Sequence, residues 1–132
     1  MVANEKTEGG SIMDIEAVKG DTEYYDLAAI RSNLPISLVG LNVKAWFTAK
    51  RTKEDLDANA LISLNSADDP TQIVFTDRPG GLFFVQLVPA DTVNIDEDYL
   101  VYDVQVREQD GRVTTVARGK LYLVQDITRS VA

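Results

Sequence analysis

Two segments near the carboxy-terminal end of this sequence alternate between apolar and polar residues and are joined by an Asp-Gly pair. In the first of them, YLVYDVQVR, the residues that share one apolar face are Leu100, Tyr102, Val104 and Val106. A period of two residues is typical of a strand with one buried face. Asp110 and Gly111 follow, and such a pair supplies the positive φ angles of a tight hairpin. The sequence therefore predicts an antiparallel hairpin in which RVTTVARG is the returning strand.

A second clear alternation lies in LNVKAWFTAK, and shorter apolar runs recur along the rest of the chain. These runs are SIMDIEAV, TEYYDLAAI, ALISL, IVFT and LFFVQLV, and turn-forming residues separate them. The charged segment RTKEDLDAN and the segment that begins at Pro89 each favour no more than a single helical turn. Seven to nine short strands without a long helix predict an all-β fold, an antiparallel β-sandwich.

The sequence also predicts which side chains are buried and where the strand pairing near the carboxy-terminal end is irregular. The residues expected in the shared core are Leu41, Val43, Phe47, Phe84, Tyr102, Val104 and Val106. Gly119 interrupts a β-like stretch, and we interpret it as the mark of a β-bulge.

The 132 residues correspond to one ordinary domain, which is large enough to bury a hydrophobic core without disulfides or metals. Residues 1–10 are polar, include two adjacent glycines and show neither helical nor strand periodicity. The sequence predicts that residues 1–10 form a flexible N-terminal arm and that residues 11–132 form a single β-sandwich domain.

The composition argues against several classes of function. The chain contains no cysteine and no histidine, so it lacks thiolate chemistry and the usual general base, and we expect a protein that is not an enzyme. Its net charge of -8 would repel phosphate backbones unless the basic residues were strongly segregated, so no nucleic-acid partner is expected. No apolar run is long enough to span a bilayer, and no membrane partner is expected.

Three acidic clusters are the groups best suited to hold a cation. They comprise Glu54, Asp55 and Asp57, then Asp68 and Asp69, then Asp96, Glu97 and Asp98. Calcium needs six to eight converging oxygens, and none of the clusters has the spacing of an EF-hand loop. We therefore interpret them as solvated loops that keep the protein soluble, and no metal or cofactor is expected.

Four residues are candidates for contact with a partner. Trp46 falls on the polar face of its strand, where it could anchor a partner, pack under a crossing loop or pack on the opposite sheet. Tyr24 and Tyr25 are adjacent, so in a strand they point to opposite faces and one of them is at least partly exposed. Met1 and Val2 precede a polar spacer, an arrangement that could reach a neighbouring subunit. The predicted interaction residues are Met1, Val2, Trp46 and Tyr24.

The order of motifs resembles that of a known family. GDT is followed by LVGLNVKAWFTAK, then IVFTDRPGGLFFVQLVPADT, then YLVYDVQVREQDGRVTTVARGKLYLVQDITR. This order is similar to that of the immunoglobulin-like β-sandwich domain of bacteriophage virion proteins, in particular the amino-terminal domain of siphophage baseplate upper proteins. The similarity extends from about Val18 to Arg129 and is strongest from Tyr102 to Asp126.

The resemblance implies a docking module without catalytic residues. In that family a separate carboxy-terminal region recognises the host, whereas this sequence ends three residues after Arg129. We therefore expect a virion protein made in the host cytoplasm, which would bind other structural subunits in the tail or baseplate or decorate the capsid. Several copies or a symmetric oligomer are expected, and the arm would become ordered on docking. The alternative is a free carbohydrate- or cation-binding module that uses Trp46 and the acidic loops.

Overall fold

The structure is a computed structural model and describes residues 11–125. The predictions for residues 1–10, including Met1 and Val2, lie outside the described residues. Within residues 11–125 the strands are β1 (Ser11–Ile12), β2 (Ile15–Val18), β3 (Glu23–Ala28), β4 (Ile30–Arg31), β5 (Leu34–Pro35), β6 (Lys44–Lys50), β7 (Ile62–Asn65), β8 (Ile73–Asp77), β9 (Leu82–Leu87), β10 (Tyr99–Arg107) and β11 (Val113–Val124). A 3-10 turn spans Asp57–Asn59, and one short α-helix, α1, spans Pro89–Thr92. The all-β prediction is confirmed, as are the single helical turns.

The larger sheet has six strands in the order β1-β11-β10-β6-β7, with β2 also paired to β11. β1 and β2 run parallel to β11, whereas the β10–β11, β10–β6 and β6–β7 pairs are antiparallel. The first two strands therefore share one edge of this sheet, and β7 forms the other edge.

A second, antiparallel sheet has the order β3-β9-β8, and β4 and β5 form a separate two-stranded ribbon. The described chain thus contains eleven strands, three of which have only two residues. Segments of two residues are too short to show a period of two, which is why the sequence predicts a smaller number of strands.

The two sheets share one hydrophobic core. Its cluster of buried residues includes Phe47, Val104 and Leu121 from the larger sheet and Phe83 and Val85 from the smaller one. The ring of Phe47 stacks on that of Tyr102, with centroids 5.5 Å apart and an interplanar angle of 17°. The core prediction is correct for Phe47, Tyr102, Val104 and Val106, and Val43 packs against the core while only partly buried.

Two residues of the predicted core are placed differently. Leu41 is fully exposed, because β6 begins only at Lys44 and Leu41 lies in the preceding loop. Phe84 is half-buried on the outer face of β9, whereas its neighbour Phe83 is 1% exposed. Adjacent phenylalanines in a strand point to opposite faces, and the sequence alone does not indicate which of the two faces is buried.

The hairpin between β10 and β11 is confirmed, although its turn differs from the predicted one. Gly111 has a φ of 92°, whereas Asp110 is not among the residues with positive φ. The Gly111 amide donates to the Glu108 carbonyl at 2.9 Å, and the Glu108 amide donates to the Arg112 carbonyl at 2.8 Å. This is the pattern of a three-residue loop in which a type I turn precedes a left-handed glycine.

The bulge predicted at Gly119 lies elsewhere in β11. The register shifts between Val104 and Gln105, which pair with Ala117 and Thr115, so that Val116 is the extra residue. Gly119 itself pairs regularly with Tyr102. A side chain at Gly119 would collide with the carbonyl of Met13, so glycine is needed there for a close backbone approach between β11 and the β1–β2 link.

Candidate functional site

Three connections meet at one end of the molecule and are held together by hydrogen bonds. The segment between β3 and β6 contacts the β8–β9 turn, because the Leu38 amide donates to the Arg78 carbonyl at 2.8 Å and Arg78 donates back to the Leu38 carbonyl at 3.0 Å. The same segment contacts the β10–β11 turn through Asn42, whose amide donates to Gln109 Oε1 at 2.7 Å. Arg31 adds an ion pair with Glu108.

This end exposes six large apolar side chains, which we call the apolar end. Leu41 is fully exposed and Leu34 is 67% exposed, and every member has more than a third of its surface open to solvent. The members are Ile30, Leu34, Val39, Leu41, Leu82 and Val113. Exposed large apolar side chains at one end of a molecule favour contact with another protein.

The β4–β5 ribbon presents two of these side chains. Ser32 and Asn33 connect its strands with φ angles of 54° and 66°, so both adopt the left-handed conformation of a type I′ hairpin turn. Sequence reasoning missed this ribbon and with it the roles of Ile30 and Leu34. The available signal was Asn33, since asparagine tolerates positive φ better than most residues.

The outer face of the larger sheet contains a cleft of about 450 Å³ near the opposite end of β6 and β10. Ile12 and Val101 line it together with cationic side chains, and Asp14 and Asp103 also line it. We call this site the basic cleft, and its cationic residues are Lys50, Lys53, Arg118 and Lys120. Sequence reasoning missed it, because its residues come from separate segments that meet only through the strand register.

Asp103 lies in the basic cleft between Thr48 and Arg118, which are its cross-strand partners. Burial raises the pKa of Asp103 above its ordinary value of 3.8. Attraction by Lys50 opposes this effect, and repulsion by Asp57 adds to it. The charged carboxylate is thus less favourable in the folded protein than in water, in spite of the cations around it.

We expect Asp103→Asn to raise the free energy of unfolding at pH 7. Because the folded state keeps this proton to higher pH than the unfolded state, the contribution of Asp103 to stability becomes less favourable as pH rises above about 4. Asparagine removes the buried charge, so the gain should be present at pH 7 and should vanish at about pH 3, where the carboxyl is protonated in both states. Urea unfolding of the wild type and Asp103→Asn at the two pH values measures this gain in the free energy of unfolding.

Asp26→Asn is the matched control, since Asp26 lies at an exposed position of β3. We expect little change in its unfolding free energy at pH 7. A lower stability of Asp103→Asn at pH 7 would mean that the attraction of Lys50 and Arg118 outweighs the cost of burial.

The structure does not bring Trp46 and Tyr24 together. Trp46 lies half-buried on the outer face of the larger sheet, and Tyr24 is 63% exposed on the outer face of the smaller one. Lys44 Nζ and Arg107 Cζ lie 5.3 and 5.6 Å from the Trp46 ring centroid. Tyr24 meets Phe84 edge to face with centroids 5.7 Å apart. A sugar stacking on Trp46 would therefore have to compete with two cations for the ring.

The acidic clusters make internal contacts in each of the three loops. Asp57 pairs with Lys50, and Asp69 accepts a hydrogen bond from the Asn65 amide at 3.0 Å. A hydrogen bond from Arg51 holds the pKa of Glu97 below its ordinary value. Within residues 11–125, no group of three or more acidic side chains is arranged to hold a metal ion.

No protein-family model matches the chain, and no curated protein matches it either. In the described part of the chain, none of the helices has the length and apolar character needed to cross a membrane. Fold and surface thus define a mostly-β protein with two candidate interaction sites, the apolar end and the basic cleft.

Proposed function

We propose that this protein is a non-enzymatic structural protein of a bacteriophage virion that docks onto neighbouring subunits through its apolar end. It acts in the tail or baseplate or as a decoration protein on the capsid, present in several copies. The 132-residue sequence has neither histidine nor cysteine, which is consistent with a role that requires no catalysis.

We further propose that its two sheets form an immunoglobulin-like β-sandwich. The order β3-β9-β8 matches strands B, E and D of that fold, and β7-β6-β10-β11 matches C′, C, F and G. The first strands differ from the constant-type arrangement, because β1 and β2 pair with β11 rather than with β3. The motifs on which the family resemblance rests include β6, β8, β9, β10 and β11, which belong to both sheets.

The apolar end is the observation that carries the docking role. Four of its side chains project from the segment between β3 and β6, which is anchored on a buried base, since Ala29, Ile36 and Leu38 of that segment are at most 3% exposed. A surface held in this way loses little conformational freedom when it binds, so its apolar area contributes efficiently to affinity. The partner that fits it is an apolar face on an adjacent virion subunit.

Incorporation into virus particles tests the proposal. We expect the double variant Leu34→Glu/Leu41→Glu to keep the wild-type thermal midpoint, because both side chains are exposed. Its occupancy in gradient-purified particles should fall roughly tenfold or more, since two charges in an apolar interface cost at least about 1.4 kcal/mol. Quantitative mass spectrometry of particles assembled with each variant measures the occupancy.

Leu56→Glu is the matched control, because Leu56 is 71% exposed and lies in the loop after the far end of β6. It should assemble at wild-type occupancy. Absence of the wild-type protein from purified particles would refute the virion assignment. Normal occupancy of the double variant in purified particles would refute only the docking role of the apolar end.

A further inference from the structure

We propose that the basic cleft binds an acidic, amphipathic segment of a partner protein. An apolar side chain of that segment packs between Ile12 and Val101, and carboxylates on either side of it interact with Lys53 and Lys120. This inference does not depend on the virion assignment, because it concerns the outer face of the larger sheet rather than the apolar end.

Charge segregation is the first observation that supports the proposal. The chain has 13 basic residues and a net charge of -8, yet six of the basic residues face this one side of the larger sheet. They are Lys44, Lys50, Lys53, Arg107, Arg118 and Lys120. Acidic residues on the same side offset them only in part, among them Asp14, Glu16, Asp57 and Asp103. The face is locally positive on an acidic protein, and complementary charge would orient an acidic partner toward it.

The apolar part of the lining is the second observation. Ile12 is 67% exposed on β1, at the edge of the cleft, and Val101 lies across the strand pair from both Lys50 and Lys120. The long methylene stems of these lysines extend the apolar surface. A purely ionic ligand would leave this surface in contact with water, whereas an amphipathic segment would cover it.

The arrangement of the cations distinguishes a chain segment from a small anion. Lys50 Nζ binds Asp57 and donates to the Asp55 carbonyl, and Lys120 Nζ lies 4.8 Å from the centroid of the Tyr99 ring. Asp103 occupies the middle of the site. Two of the four cations are therefore held by groups of the protein itself, whereas binding of a single phosphate or sulfate would require charges that converge on one point.

Nucleic acid is a poorer fit than an acidic peptide. A phosphate backbone would bring a continuous line of charge past Asp14 and Asp103, and the rest of this acidic protein would repel it. A short segment with spaced carboxylates avoids those two aspartates.

Fluorescence anisotropy with a defined probe tests the inference. The probe is a labelled synthetic peptide of about twelve residues that alternates glutamate and leucine, long enough to cross the sheet face. We expect saturable binding that weakens with salt, because exposed charges are screened. Lys53→Glu/Lys120→Glu should raise the dissociation constant roughly tenfold or more. Ile12→Ala should weaken binding of this peptide but not the residual binding of a peptide in which alanine replaces leucine.

Arg112→Glu is the control for the single variant Lys53→Glu, because each exchanges one cation for one anion and Arg112 is exposed in the turn at the opposite end of β10. It should bind the peptide as the wild type does. Equal losses of affinity for Lys53→Glu and Arg112→Glu would attribute the effect to net charge and overturn the proposal. Two further outcomes would also overturn it: tighter binding of a mixed-sequence DNA duplex, or self-association that Lys53→Glu/Lys120→Glu abolishes in sedimentation experiments.

Discussion

Replacing Phe47 with alanine is expected to lower the free energy of unfolding by about 3 to 5 kcal/mol. Phe47 is 1% exposed, and in the register of the larger sheet it lies between Leu64 of β7 and Val104 of β10. Its ring also stacks on Tyr102. The variant loses the transfer free energy of the ring and leaves a cavity in the core beneath β6, and the pairing of β6 with β7 and β10 limits its collapse. Urea unfolding followed by intrinsic fluorescence measures the loss.

Phe84→Ala is the control, because it removes the same side chain from a half-buried position on the outer face of β9. Its main ring contact is the edge of Tyr24, and we expect a loss of about 1 kcal/mol. Similar losses for the two variants would mean that the inner and outer faces of the sheets are wrongly assigned.

Most of β6 and β10 could be predicted from the sequence, because these strands have one buried face and one solvated face. In such strands a period of two residues indicates which side chains are buried and which are exposed. Val104 and Val106 are buried as predicted. Leu41 fits the same alternation but lies outside the strand, since hydrophobic periodicity does not define where strand pairing stops. The position of the bulge at Val116 depends on pairing with β10, which the sequence of β11 alone does not specify.

The candidate site was less predictable than the fold because its parts are distant in sequence. The apolar end combines residues from Ile30 to Val113, and tertiary contacts such as the hydrogen bonds around Leu38 and Asn42 bring those segments together. The basic cleft likewise depends on the parallel pairing of β1 with β11, which places Ile12 beside Arg118. The sequence predicts Trp46 and Tyr24 as interaction residues because they are large aromatic residues. In the sheets, however, Lys44 already contacts the Trp46 ring and Phe84 contacts the Tyr24 ring.

Gly81→Ala is expected to lower the free energy of unfolding by at least about 2 kcal/mol. Gly81 has a φ of +75°, and a Cβ there would lie 2.7 Å from the Ile36 carbonyl oxygen and 2.8 Å from that of Ala29. Both oxygens belong to backbone that packs under the apolar end, so relief of the clash must displace that backbone. The Gly81 carbonyl also accepts a hydrogen bond from the Ala29 amide at 2.8 Å, which the displacement would strain.

The loss expected at Gly81 has two contributions, the left-handed backbone conformation and the close approach of two carbonyl oxygens. Gly111→Ala separates them. Gly111 also has a left-handed φ, 92°, but a Cβ there would meet no atom within 4 Å. Its variant should lose only the conformational contribution, about 1 to 2 kcal/mol, so the excess loss at Gly81 measures the close approach. Thermal and urea unfolding of the two variants side by side provides this comparison. Equal losses would mean that the backbone around Ala29 and Ile36 can move at little cost, and the apolar end would then lack the rigid base on which its docking role depends.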